Sequence, residues 1–209
     1  VDARIDSATQ TELAHLQIHA PKFTQNNNIA YHISGSDEMV QEIESMDSVK
    51  AASRRLIAEP FIMAAHGTGG GKLLGVEPGK EQKVTDIYEH VIEGTYLEKT
   101  SRMPPVLVGE KLANKLRLKT GTRINMQMVD LQGNLSSKGY RVAGIYQTTN
   151  TSYDESTLFV LYDDLREQLG MPPDKAHEIA ILLEEGDWAP EVKASVQKIA
   201  GSNIVETWK

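Results

Sequence analysis

Two stretches with the same order of patterns bracket this chain, and they restrict its fold more than any other feature. The first opens with "ELAHLQIHA", where Ala14, Leu16, Ile18 and Ala20 alternate with Leu13, His15, Gln17 and His19, the period of a half-buried strand. "SGSDEMVQEIESM" follows, with Ser36 as the expected N-cap, acids in the first turn, and Met39, Val40, Ile43 and Met46 at helical spacing. "SVKAASRRLIAEPFIMAAHG" is then extended, with Pro60 marking a bulge or an edge. The second stretch repeats the order. "HEIAILLEE" reads as a strand, "APEVKASVQKIAG" as a helix with Pro190 in its first turn and Val192, Val196 and Ile199 on one face, and "NIVETW" as a closing strand. Such a pair of strand-helix-strand units forms one α+β layer of the split βαβ kind, with both helices on one face of a sheet.

The material between them is different. "VLVGEKLANKLRLKTGTRINMQMV" passes from an apolar strand into a helix carrying Leu112 and Leu116, stops at a Lys119-Thr120-Gly121 turn and enters a strand. "DLQGNLSSKG" is the expected hairpin connection and "YRVAGIY" the return strand. "STLFVLYDDLREQLG" adds a strand and a helix closed by Gly170, and Pro172-Pro173 mark a boundary. The middle reads as a β-rich insertion.

"HGTGGGKLLG", residues 66–75, invites comparison with a phosphate-binding loop. That loop requires Gly, four residues, then Gly-Lys-Ser/Thr, because backbone N–H groups curl around phosphate while the hydroxyl reaches magnesium. Here the first glycine position is His66 and the hydroxyl position is Leu73, so the motif fails twice. Gly67 to Gly71 are expected instead to form a hairpin tip, with "KLLGVEP" returning as the partner of the preceding extended segment.

The 209 residues suffice for one large domain or two small ones, and a hydrophobic share of 40% with 24% charged residues is that of a folded globule. Net charge is −7, and the only adjacent arginine pair is Arg54-Arg55, so the basic patch that nucleic acid requires is missing. The lack of cysteine excludes thiolate metal sites, thiol nucleophiles and disulfides. No apolar run approaches the length of a membrane span. The chain begins at Val1 without methionine, which reads as a piece of something longer.

Individual residues give little chemistry. His15 and His19 would suit a metal on a helix, but strand spacing sets them about 13 Å apart. His32, His66, His90 and His177 fall in separate segments without a carboxylate at ligand spacing. "HISGS" and "ASRRL" lack the Gly-x-Ser-x-Gly elbow of a serine nucleophile. Asp163-Asp164 and Glu184-Glu185 read as helix-start and solubility features. No catalytic residue, cofactor or metal site is therefore expected. The loop "DLQGNLSSKG" stands out, because a loop has no need of leucine. Leu131, Gln132, Asn134 and Leu135 form the candidate partner contact, and the residues equally admit leucines folded back onto the insertion.

The run from Val106 to Leu169 resembles the extracytoplasmic core domain of MacB-like and LolC/LolE-like ABC transporter permeases, the FtsX-like superfamily. The resemblance is carried by Gly109, Leu112-Ala113, Leu116, Lys119-Thr120-Gly121, Val142-Ala143-Gly144-Ile145-Tyr146 and Asp154. "TELAHLQIHAP", "LLGVEP" and "NIVETWK" match further steps in order, so the likeness covers nearly the whole chain and lies nearest the lipoprotein-releasing LolE-like branch. It implies an α+β fold in which a porter-like subdomain of two βαβ units, residues 1–83 with 174–209, is interrupted by a smaller β-rich, Sabre-like subdomain, residues 84–173. It also implies a non-enzymatic periplasmic part of an inner-membrane permease. The implied partners are a cytoplasmic ATPase subunit, a second permease subunit, and a lipoprotein with a periplasmic chaperone or adaptor. The hairpin lacks the length and prolines of the LolC chaperone hook. Two alternatives are a MacB-like efflux component that binds an adaptor, and, outside the family, a soluble enzyme or binding domain using the glycine loop as a lid. Relative movement of the subdomains is expected at two crossings, near Val84 to Asp86 and at Pro172-Pro173, and Val1 and Lys209 are expected to approach each other.

Overall fold

The computed structural model describes residues 14–99, 102–184 and 189–207. In chain order the elements are β1 (Leu16–His19), α1 (Phe23–Asn26), α2 (Ser36–Glu44), β2 (Val49–Ala58), β3 (Phe61–Ala64), β4 (Gly67–Gly70), β5 (Lys72–Val76), α3 (Pro78–Val84), a 3-10 turn at Ile87–His90, β6 (Val91–Gly94), β7 (Pro105–Gly109) and α4 (Glu110–Leu116). Then come β8 (Arg123–Val129), β9 (Leu135–Tyr146), α5 (Thr151–Ser156), β10 (Thr157–Leu161), α6 (Tyr162–Leu169), β11 (Glu178–Leu183), α7 (Ala189–Ala200) and β12 (Ile204–Thr207). They sort into two units, the first made of Val1–Arg55, Glu77–Asp86 and Asp174–Lys209, the second of Leu56–Val76 and Ile87–Pro173.

In the first unit the strands lie in the order β12-β1-β11-β2, every neighbouring pair antiparallel. β11 separates β1 from β2, and β1 separates β11 from β12, which is the split βαβ arrangement expected from the bracketing patterns. α2 and α7 pack against each other on one face, above the fully buried Leu16, Ile18, Ile179 and Ile181. α3 takes the other face, where Val84 clusters with Ala14, Ala51, Ala180 and Leu182. Ser36 does not cap α2. Gly35, at φ 64°, holds the cap position, and Ser36 is the first helical residue, its hydroxyl donating to the Asp174 carbonyl at 3.0 Å. Ile199, expected on the buried face of α7, is only half-buried, and Ala200 is buried instead.

The second unit has the strand order β2-β5-β10-β7-β9-β8-β3-β4, entered by the last residues of β2, with β6 added alongside β9. Its core holds the fully buried Tyr140, Tyr146 and Phe159, and the Tyr146 hydroxyl donates to the Thr157 carbonyl at 2.9 Å. The glycine run is not the hairpin tip. Ala64 pairs with Gly67, so the turn is Ala65-His66, while Gly67–Gly70 form strand β4. A Cβ on Gly67 or Gly69 would make only ordinary contact with the Leu116 side chain of α4, at 3.5 and 3.7 Å, whereas at Gly71 it would come 2.7 Å from the Ser156 carbonyl oxygen, so the glycine that space requires is the one that follows β4. β5 does return beside β2, as expected.

Residues 56–76, expected with the first subdomain, lie in the second unit. The cause is hydrogen bonding: Ile62 pairs with Met126 of β8, and β5 runs parallel to β10 from Lys72 opposite Thr157. The chain therefore passes between the units four times, after Arg55, Val76, Asp86 and Pro173, where two crossings were expected. The expected approach of Val1 and Lys209 lies outside the described residues. Within them, Leu16 at the start of β1 is opposite Thr207 at the end of β12.

Candidate partner-binding surface and buried ionic chain

The hairpin connection is shorter than its sequence implies. β9 already begins at Leu135, and residues 130–134 make a closed turn in which the Asp130 carboxylate accepts from the N–H groups of Gln132 at 2.9 Å and Asn134 at 2.8 Å. Gly133, at φ 84°, supplies the left-handed step. The structure separates the two leucines. The Leu131 N–H donates to the Leu169 carbonyl at 3.0 Å, and its side chain is half-buried, whereas Leu135 is 70% exposed. Gln132 and Asn134 are exposed, with the Gln132 amide held close to Gly170.

Leu135 does not stand alone. It lies directly opposite Val129, 55% exposed, and Phe61, 50% exposed, pairs with Gln127 one step along the same face. The other face of this β9-β8-β3-β4 sheet is covered: Tyr140 donates its hydroxyl to Gln168 Oε1 at 2.7 Å, and Gln168 Nε2 donates to the Met126 carbonyl at 3.0 Å. Burial and the nearby Asp164 and Glu167 carboxylates push the Tyr140 phenol up, which keeps it a donor. Arg123 and Arg141 are also directly opposite each other on the exposed face. Val129 and Phe61 were missed at the sequence level. Val129 carried a signal in alternation, in phase with polar Gln127 and not with buried Met126 and Met128, whereas Phe61 joins that face only through its pairing with Gln127.

The histidines make no metal cluster among the described residues. His177 is fully buried and stacks on Phe23 at 4.8 Å; burial holds its imidazole down at about 4. His15 Nδ1 accepts from the Leu183 N–H at 2.9 Å. His19 enters a buried ionic chain that sequence reading did not anticipate. Arg55 forks onto Glu81, Nε to Oε2 at 3.1 Å and Nη2 to Oε1 at 2.6 Å, and reaches Glu178 Oε1 with Nη1 at 2.7 Å. Ser53 and Thr85 hydroxyls donate to the same Glu81 carboxylate at 3.0 and 3.2 Å. A carboxylate only accepts, so His19 Nε2 carries a proton toward Glu178 Oε2 at 2.9 Å. Nδ1 lies 3.3 Å from Glu206 Oε2, at ion-pair range but off the hydrogen-bond direction. This ionic chain runs across the strands of the first unit.

The fold has close likenesses. The chain is similar to the extracellular domain of the noncanonic ABC-type transporter YknZ from Gram-positive bacteria at a TM-score of 0.60 and 13% identity, covering 93% of this chain and 99% of that one. It is similar to the periplasmic region of MacB from Actinobacillus actinomycetemcomitans at a TM-score of 0.62 and 8% identity, covering 97% and 92%. A comparison with curated protein sequences gave no match. At such identities the two structures establish the fold. The family model of the MacB-like periplasmic core domain matches residues 1–199, and with that match this chain belongs to the MacB-like periplasmic core domain family, a domain of ABC transporter permeases.

Proposed function

We propose that this domain stands at the outer face of the inner membrane and takes part in ATP-driven release or transport of lipoproteins, powered by a separate cytoplasmic ATPase subunit and working beside a second permease subunit. One observation carries the reading: β1 and β12 are antiparallel neighbours, so the path into and out of the first unit runs side by side. Such a domain can be inserted between two membrane helices without spanning any distance at its base. Among the described residues no helix is long and apolar enough to cross a membrane. The lipoprotein assignment follows the sequence likeness to LolE-like permeases.

A second reading, a MacB-like component that transmits motion to a periplasmic adaptor, is favoured by the five-residue turn at 130–134, too short for a chaperone-capturing hook. In both readings the partner contact is Leu135 with Gln132 and Asn134 of the turn, extended by Val129 and Phe61, with Leu131 bracing it from behind.

Reconstituting the full permease and its ATPase in vesicles, with either a fluorescent lipoprotein or a small hydrophobic dye as cargo, tests the assignment. ATP-dependent loss of the lipoprotein from the bilayer is the expected result. Export of the dye alone refutes lipoprotein release and supports the adaptor reading.

A further inference from the structure

Arg54 and Arg55, the only adjacent arginines in the chain, are the last residues of the first unit before β2 leaves it. Neighbours on a strand point to opposite faces, so the pair grips both sides of the sheet. On the helical side Arg54 forks onto Glu77, the first residue after the second crossing, with Nε and Nη2 each 3.1 Å from a carboxylate oxygen. Its Nη1 is 2.8 Å from Asp37 Oδ1 at the start of α2. The same helix start binds Asp174, the first residue after the fourth crossing: Ser36 N donates to its carbonyl at 2.9 Å and Gly35 N to its carboxylate at 3.3 Å.

On the other side Arg55 holds Glu81, in the α3 segment between the second and third crossings, and Glu178, just past the fourth. The register places Arg55 opposite Glu178 and Glu178 opposite His19, and Glu206 lies diagonally beyond. One line of ionisable side chains therefore crosses all four strands of the first unit, from the strand that leaves for the second unit to the two strands where the path enters and exits. Well-packed apolar residues in place of a buried ionic group are often neutral or stabilising, so stability does not account for this line. Fixing register is the best-attested use of such groups.

We infer that the Arg54-Arg55 pair and the chain Glu81–Arg55–Glu178–His19–Glu206 form a tie bar. It holds the four crossings and strands β1 and β12 at fixed spacing, so that a displacement arriving at β1 and β12 reaches the crossings as a rigid-body movement. The functional half of this inference rests on the permease reading.

The natural absence of cysteine makes the test direct. Spin labels on Lys83→Cys in α3 and Ile204→Cys in β12, both exposed, report the spacing from one end of the tie bar to the other. Arg55→Met with Glu81→Leu and Glu178→Leu removes the charges while keeping apolar volume. The expected result is a cooperative melt close to the parent's, with a distance distribution about twofold wider or more. An unchanged width in the folded variant overturns the tie bar, as does a triple variant that cannot fold, which makes the charges part of the core itself. His19→Gln with Glu206→Gln, at the half-exposed end, repeats the test without touching Arg55, and here too an unchanged width overturns it. In vesicles the full permease carrying the triple substitution is expected to hydrolyse ATP but lose about tenfold in cargo movement. If the unmodified permease moves no cargo, the permease reading fails, and the distance result still decides the tie bar.

Discussion

Gly109 opens α4 with φ −67° and ψ 145°, angles any residue adopts, so its need for glycine is spatial. A Cβ there would come 2.1 Å from the Asp154 carbonyl oxygen and 2.7 Å from both its carbonyl carbon and Cα. These are backbone atoms and cannot swing aside. Asp154 is itself fixed: it is 1% exposed, and its carboxylate accepts from Thr148 N at 3.0 Å and from the Thr148 hydroxyl at 2.8 Å. Asn150 caps the same α5 helix by accepting from the N–H groups of Ser152 and Tyr153.

Gly109→Ala must therefore push α5 outward, with an overpacking penalty of about 1–3 kcal/mol. Straining the charge-assisted bonds of Asp154 adds about 1 kcal/mol more. For a chain of this length the melting temperature falls roughly 2–4 °C per kcal/mol, so a drop of about 4–16 °C is expected by calorimetry. Gly79→Ala is the matched control. Gly79 lies in α3 with nothing within 4 Å of its added Cβ, so the same substitution gains helix propensity of about 0.5–1 kcal/mol and raises the melting temperature slightly. A Gly109→Ala protein that melts within a degree of its parent, or moves in the same direction as Gly79→Ala, would refute the reasoning.

Leu135→Ser should shift stability by no more than about 0.5 kcal/mol in the isolated domain yet weaken partner binding in the permease, whereas half-buried Leu131→Ser should destabilise by about 1–2 kcal/mol; melting and binding of both variants decide it. Tyr140→Phe leaves Gln168 Oε1 unpaired and should lower stability by about 1–3 kcal/mol in urea titration. His177 has a folded value of about 4 against an ordinary 6.5, so the unfolded chain binds its proton first. Its contribution is whole above about pH 6.5, declines as pH falls and is lost near pH 4, a change of order 3 kcal/mol that denaturation at pH 7 and pH 4.5 should show and that His177→Gln should flatten.

The bracketing units were legible because burial writes itself as periodicity: Leu16 and Ile18 alternate, Val40 and Ile43 follow the helical turn, and each pattern landed on its element. The glycine tip was not legible, because a turn that must reverse and a segment that passes close to other backbone, as Gly71 does at the Ser156 carbonyl, both select glycine. Only the partner segment, the end of α5, distinguishes them, and it lies far along the sequence. Residues 56–76 were misplaced for the same kind of reason. The apolar run Phe61–Ala64 reads as a strand but does not show that Met126 is the neighbour of Ile62.

Charge hid more than apolar pattern did. An Arg-Arg step inside a buried strand looks like an interruption, and the carboxylates that neutralise it, Asp37, Glu77, Glu81 and Glu178, all lie beyond any local spacing rule. The division of charge carries the same lesson at larger scale. The first unit holds 18 acidic against 11 basic residues and so the whole net charge of −7, while the second holds 11 of each. Neutrality of the second unit makes the exposed Arg123 opposite Arg141 significant. Like charges directly across a ladder are unfavourable, and neither arginine is ion-paired among the described residues. They share the exposed face with Phe61, Val129 and Leu135, so a partner that covers this face gains apolar contact and relieves the repulsion if it brings carboxylates. Sequence reading found one leucine of that face; its composition became legible only when the register of β8, β9 and β3 aligned the rest.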